Sequence, residues 1–486
     1  MLRNLLLYDV FTLLGKIRIG IVVKKRKIET SIDAMTPHEK KAVSSLASIY
    51  ALRMLGLFMI LPVFALYAEE LEGVTPFLVG VAIGIYGLTQ AILQIPFGML
   101  SDRLGRKPMI ILGLLIFAVG SVIAAMSDSI YGVILGRAIQ GAGAIAAVIM
   151  ALTSDLTREE HRLKAMAVIG MSIGMSFAFS LVAGPLLDQW IGVDGIFWLT
   201  AVMAILSIVV LMSRVPTPAK SRFHRDTEPV PALFKSVLKD SQLLRLDFGI
   251  LVLHMMLTAT FVVMPLALRD YAGLASADHW YVYFPVLVIA LGLMVPFIII
   301  AEKKRKMKQV FVGAISSLIV AQLLLVFAYQ NLYGIVAALL IFFVAFNTLE
   351  ASLPSLVAKT VKPDRKGTAM GVYSSSQFFG AFIGGALGGW LHGEFGIEAV
   401  FMMSAILALL WLITAATMQN PSYLSSFMVR VGEVDEPRAR ELEAEMAQVT
   451  GVSEVSIIAE TGVAFLKVDM HALDHEGVLK FAVDDA

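Results

Sequence analysis

Twelve apolar stretches run through residues 45–418, each near the roughly 20 residues that cross a bilayer core of about 30 Å. They fall at 45–68, 77–100, 108–127, 130–152, 164–188, 195–213, 244–268, 280–301, 308–328, 331–356, 367–391 and 397–418. Inside lipid every backbone N–H and C=O needs a partner from the protein, and segments of this length and uniform apolarity achieve that as helices. Charged residues make up only 16% of the chain and hydrophobic ones 58%. Soluble domains run near 25% charged, so a water-soluble enzyme is excluded. Cysteine is absent, which removes disulfides, thiolate zinc sites, iron–sulfur clusters and cysteine nucleophiles.

The longest polar interruption, 214–243, follows the sixth stretch; it carries Pro216, Pro218, Pro229, Pro231 and six Lys/Arg. The chain therefore divides into an N-terminal segment 1–44, a six-helix bundle 45–213, a linker 214–243, a second bundle 244–418 and a tail 421–486. Alternate connections are basic: Lys24 to Lys27, Arg103/Arg106/Lys107, Arg158/Arg162/Lys164, the linker, Lys303 to Lys306 and Lys359/Lys362/Arg365/Lys366. The opposite connections carry Glu69, Glu70, Glu72, Asp128, Asp194, Glu394 and Glu398, with Arg269 as the exception. Basic residues near helix ends stay on the cytoplasmic side, so both termini are expected there. Leu5 to Val23 is broken by Lys16 and Arg18, and reads as an interfacial helix or as an extension ahead of Met35 rather than a thirteenth crossing.

The halves repeat each other. Ile95-Pro96-Phe97 with Asp102-Arg103 and Arg106 returns as Val295-Pro296-Phe297 with Glu302-Lys303 and Lys306, and Pro62 matches Pro265. A parallel repeat of bundles is the pattern of transporters that rock one half against the other. The tail alternates as strand, helix, strand, strand and helix, which predicts a small βαββα ferredoxin-like α+β domain. It holds 13 acids and 5 bases, so its net −8 faces basic loops, and docking on those loops or an unknown ligand are its expected partners.

Gly98-Met99-Leu100-Ser101-Asp102-Arg103-Leu104-Gly105-Arg106-Lys107-Pro108 resembles the signature motif of the major facilitator superfamily, with Gly98, Asp102, Arg103, Gly105 and Arg106 in its key positions. Arg137, Gln140, Gly141 and Gly143 resemble that family's second motif. Gly170, Gly174, Gly184 and Pro185 resemble its third, helix-packing motif, with Ser180 and Gln189 where glycines are usual. Over its whole length the chain resembles a bacterial inner-membrane member carrying a C-terminal ferredoxin-like domain. The resemblance implies an all-α twelve-helix major facilitator fold, proton-driven efflux of drug-like compounds with no cofactor beyond the proton gradient, and a charge cluster of Asp102, Arg106 and Asp155 against the eleventh helix.

Ionisable residues inside apolar spans are costly and so are functional candidates. Arg53 and Glu350 lie at similar depth and are a possible pair across the cavity; no other carboxylate lies so deep by the stretch boundaries above. His254 is the remaining titratable candidate, and Arg137 with Gln140 the remaining polar ones, either in the cavity or as a packing device. Nutrient uptake with protons and a transporter-like sensor signalling through the tail are the alternative functions. Metal transport is disfavoured, since His471 and His475 alone make no soft-metal site.

Overall fold

The computed structural model describes residues 35–217, 230–361, 365–420, 424–432, 434–459, 462–469 and 472–483. The readings of residues 1–34, and of Pro218 and Pro229 in the linker, lie outside them. Among the described residues, 35–40 belong to a unit apart from the rest. Within it Thr36 and Glu39 form a capping box: the Thr36 N–H donates to Glu39 Oε2 at 2.7 Å and the Glu39 N–H to Thr36 Oγ1 at 3.2 Å.

The first helix, α1, is Pro37–Phe58, so helical structure starts ahead of the apolar stretch. It stops short of Pro62, which has no N–H to continue it, and resumes only as Phe64–Tyr67. Then follow α2 (Pro76–Leu104), α3 (Arg106–Ala125) and α4, which is split into Ile130–Ala142 and Ala146–Asp155. Glu159–Arg214 contains two crossings, α5 before Gly192 and α6 after it; the glycine turns the chain with φ 67. The second half comprises α7 (Ser241–Leu266), α8 (Trp280–Lys303), α9 (Met307–Ala328), α10 (Leu332–Thr360), α11 (Lys366–Phe395) and α12 (Ile397–Ala416). Among the described residues nine helices are long and apolar enough to cross a membrane on length and composition alone, with Lys164–Arg214 counted as one. The broken α1 and the Gly- and Ser-rich α11 fall outside that criterion and are recognised as crossings by their place in the bundle.

The halves meet most intimately where α2 crosses α11. A Cβ on Gly84 would come within 2.8 Å of the Phe382 backbone, and Gly80 and Gly87 likewise face the backbone of Gly385 and Phe378. At the end where the acidic connections lie, Arg269 forks onto Glu69 (2.6 and 2.9 Å), and Gln189 Nε2 donates to the Ala277 carbonyl at 2.6 Å. The one basic residue among acidic connections is thus a strap between halves.

The tail forms β1 (Ser425–Arg430), α13 (Glu436–Met446), β2 (Val452–Ile458), β3 (Val463–Val468) and α14 (His475–Leu479). The sheet is antiparallel in the order β1-β3-β2, as a ferredoxin-like domain requires, and Leu466, Val468, Met446 and Val478 fill its core. The fold is therefore twelve membrane helices in two bundles of six, with a small α+β domain appended.

Candidate functional site

The break in α4 at Gly143 leaves backbone carbonyls without helical partners at membrane depth, where an unpaired polar group costs several kcal/mol. Arg53, 1% exposed, takes one of them: its Nη2 donates to the Gly143 carbonyl at 2.7 Å and to Gln90 Oε1 at 2.8 Å. The rings of Tyr86 and Phe117 flank the guanidinium at 5.8 and 5.5 Å. The expected Arg53–Glu350 pair is not formed, because the cation is already held inside the N-terminal half.

Arg137 is held in the same way. Its Nε donates to the Ala82 carbonyl, its Nη2 to the Ile83 carbonyl and its Nη1 to Gln140 Oε1, at 3.3, 3.2 and 3.1 Å. Gln140 Nε2 passes the chain on to Ser121 at 2.8 Å. Both residues are buried between α2, α3 and α4, which corrects the cavity assignment toward a packing device.

In the second half Glu350 of α10 meets α7 and α11. Gln377 Nε2 lies 2.8 Å from His254 Nε2 and donates to Glu350 Oε1 at 3.3 Å. The His254 ring nitrogen is 3.9 Å from Glu350 Oε2, an oxygen that is buried and has no hydrogen-bond partner. The other ring nitrogen faces the Ile250 carbonyl at 3.3 Å. Beside this trio, Phe346 lies 5.9 Å from the His254 ring and stacks on Phe177 of α5, which in turn meets Phe58 of α1 edge-on at 5.1 Å. The polar trio thus borders an aromatic row shared by both halves. Sequence reading found His254 and Glu350 but missed Gln377, whose signal was an amide inside the apolar stretch after Ser374-Ser375-Ser376. The aromatic row carries no signal apart from the fold, since phenylalanine is common throughout the chain.

The charge cluster lies at the basic end. A Cβ on Gly98 would lie 3.2 Å from Ala147 of α4, and Gly105, at φ 94, turns α2 into α3. Arg106 then bonds Asp102 Oδ1 at 2.5 Å, Ser101 Oγ at 2.7 Å and, through Nε, Asp155 at 3.4 Å. The side chains of Arg106 and Asp155 are each 1% exposed. Asp102 faces Arg106 and, among the described residues, makes no bond to α11; the first turn of α11 receives the linker, with the Val230 N–H on Thr368 Oγ1 at 2.8 Å. Arg103 extends from the same turn and is exposed. Of the third motif only Gly184 packs, against the Met59 carbonyl and Pro62 at the break in α1, with Pro185 beside it inside the helix. Gly170 and Gly174 have nothing within 4 Å of where a Cβ would sit, so the packing role expected of them is not realised here.

The Major Facilitator Superfamily family model matches residues 46–351 and 305–427. The chain belongs to this superfamily of membrane transporters. It is 49% identical over 435 residues to the inner membrane transport protein YajR of Escherichia coli (strain K12), covering 90% of this chain and 95% of that one. It is 26% identical to the multidrug resistance protein MdtH of Proteus mirabilis (strain HI4320), covering 70% and 84%. A crystal structure of a bacterial homolog of the human lysosomal transporter Spinster superposes with a TM-score of 0.63 at 14% identity, covering 79% of this chain and 96% of that one. The human organic anion transporter MFSD10 superposes with a TM-score of 0.60 at 19% identity, covering 78% and 100%.

Proposed function

We propose that the protein exports a small hydrophobic compound in exchange for protons, from the inner membrane of a bacterium, with both termini and the tail domain on the cytoplasmic side. The observation that carries this reading is Glu350: a membrane-depth carboxylate, 37% exposed as a side chain but with its Oε2 buried and unpartnered, beside His254 and Gln377, at an aromatic row to which both halves contribute. A proton on Glu350 neutralises its charge, and substrate entering against the phenylalanines from the cytoplasmic side displaces it to that same side; alternating access couples the two events. A row of Phe rings bordered by few polar groups suits apolar cargo of varied shape better than a nutrient that needs many hydrogen bonds. The charge cluster of Asp102, Arg106 and Asp155 serves in this reading to bias the basic end between open and closed.

The decisive experiment is flux in proteoliposomes with an imposed pH gradient, screening lipophilic dyes and recording direction. Glu350→Gln keeps size and hydrogen bonding but cannot exchange a proton. It is expected to abolish gradient-driven flux while the purified protein stays monodisperse. Flux in the variant with unchanged pH-gradient dependence removes Glu350 from the mechanism, and uptake coupled to protons reverses the assigned direction.

A second reading, in which the tail regulates the body, is favoured by one contact. Lys467 of β3, 5% exposed, donates to the Lys359 carbonyl at 3.1 Å, in the last turn of the helix that bears Glu350. A cation at a helix C-terminus is favourable, and Asp469 reaches Arg305 at 3.4 Å beside it.

A further inference from the structure

Asp247 was passed over in the sequence because it stands near the start of the seventh apolar stretch, yet it is 6% exposed and its Oδ2 is buried without a hydrogen-bond partner. It shares a face of α7 with His254, seven residues on. Tyr373 of α11, 4% exposed, also has a buried hydroxyl without a partner. That hydroxyl is within electrostatic reach of both Asp247 and Glu350. Counting 1.5 Å per residue, Asp247 sits about 9 Å inside the basic end of α7, Tyr373 about 11 Å inside that of α11 and Glu350 about 15 Å inside that of α10. Three unpartnered polar atoms on three helices therefore lie at graded depth between the basic end and the aromatic row.

The groups facing Asp247 are few. From α11 comes Tyr373, and from α12 the indole of Trp411 packs on Gly249, two residues along α7. On α7 itself Arg245 turns back to the Ser241 carbonyl. Among the described residues no Lys or Arg pairs with either Asp247 or Glu350. An unpaired carboxylate this deep persists most cheaply by holding a proton. We propose that Asp247 is a second proton-binding carboxylate of this transporter, placed between the basic end and Glu350. This rests on Glu350 exchanging protons.

The test needs no substrate. Infrared difference spectra of the purified full chain in lipid nanodiscs, recorded between acid and alkaline buffer, read the stretching bands of protonated buried carboxyls. Two bands are expected in the parent, of which Asp247→Asn loses one and Glu350→Gln the other. If Asp247→Asn keeps every parental band while Glu350→Gln loses one, the inference fails and the role of Glu350 stands. If Glu350→Gln loses nothing and Asp247→Asn does, the reading of Glu350 fails instead. Should Asp247→Asn not fold, Asp247→Glu must shift the assigned band, and a spectrum identical to the parent overturns the proposal.

Discussion

The two bundles repeat each other in sequence yet bury opposite kinds of charge. The N-terminal half holds Arg53 and Arg137, cations that never release a proton, among backbone carbonyls, glutamines and the Tyr86 ring. The C-terminal half holds Glu350, Asp247 and His254, groups whose chemistry lets them gain or lose a proton, and an oxygen of each carboxylate is unpartnered, as two guanidinium nitrogens of Arg53 are in the first half. A duplicated scaffold has thus been divided into a half whose internal polar groups fasten helices and a half whose internal polar groups can change charge.

The same division recurs at the basic end. In the first half the α2–α3 corner is tied to the end of α4 by Arg106 and Asp155, with the acid on α4. In the second half the end of α8 is tied to the end of α10 by Glu302 and Lys359 at 2.7 Å, with the base on α10. The tie is conserved between halves and its polarity is reversed. The first is buried at 1% for both side chains, whereas the second is exposed, at 44% for Glu302. Burial decides how much each tie matters, because removing one partner of a buried pair strands the other in low dielectric.

The comparison is most exposed to failure at Asp155. Asp155→Ala is expected to cost about 3 kcal/mol by taking one carboxylate from the buried Arg106 guanidinium, read as a lowered unfolding transition of the purified protein. Next comes Arg137→Met, which loses three bonds from a charged donor but also relieves a buried cation. We expect about 2 kcal/mol of destabilisation, with pH-gradient dependence retained in the protein that folds. Altered coupling in that variant would erase the division between fastening and proton-exchanging halves. The smallest effect is expected at Glu302→Gln, under about 1 kcal/mol and vanishing as salt is raised. A loss there equal to that of Asp155→Ala would show that the two ties are equivalent after all.

Much of the scaffold was legible without coordinates, because apolar length, proline breaks and the placement of Lys and Arg each answer to a physical demand that lipid imposes locally. The motif at 98–108 was likewise legible, down to the turn at Gly105. Partnerships were not. Arg53 and Glu350 match in depth, and depth is all that helix counting measures. Which group Arg53 bonds depended on α4 breaking at Gly143 and releasing a carbonyl. Gly170 and Gly174 were expected to pack because they match the family's third motif, yet whether a neighbour arrives depends on how α5 lies against the rest. Asp247 shows the complementary case: it lies near a helix end, and it is the surrounding helices that remove it from water. The sequence by itself determined twelve crossings, their division into two related halves and the tail's βαββα order, since these follow from periodicity and from the cost of unpaired backbone in lipid. Only the tertiary structure decided which buried charges are held and which stay open to a proton, because that choice is made by neighbours from other helices, far apart along the chain.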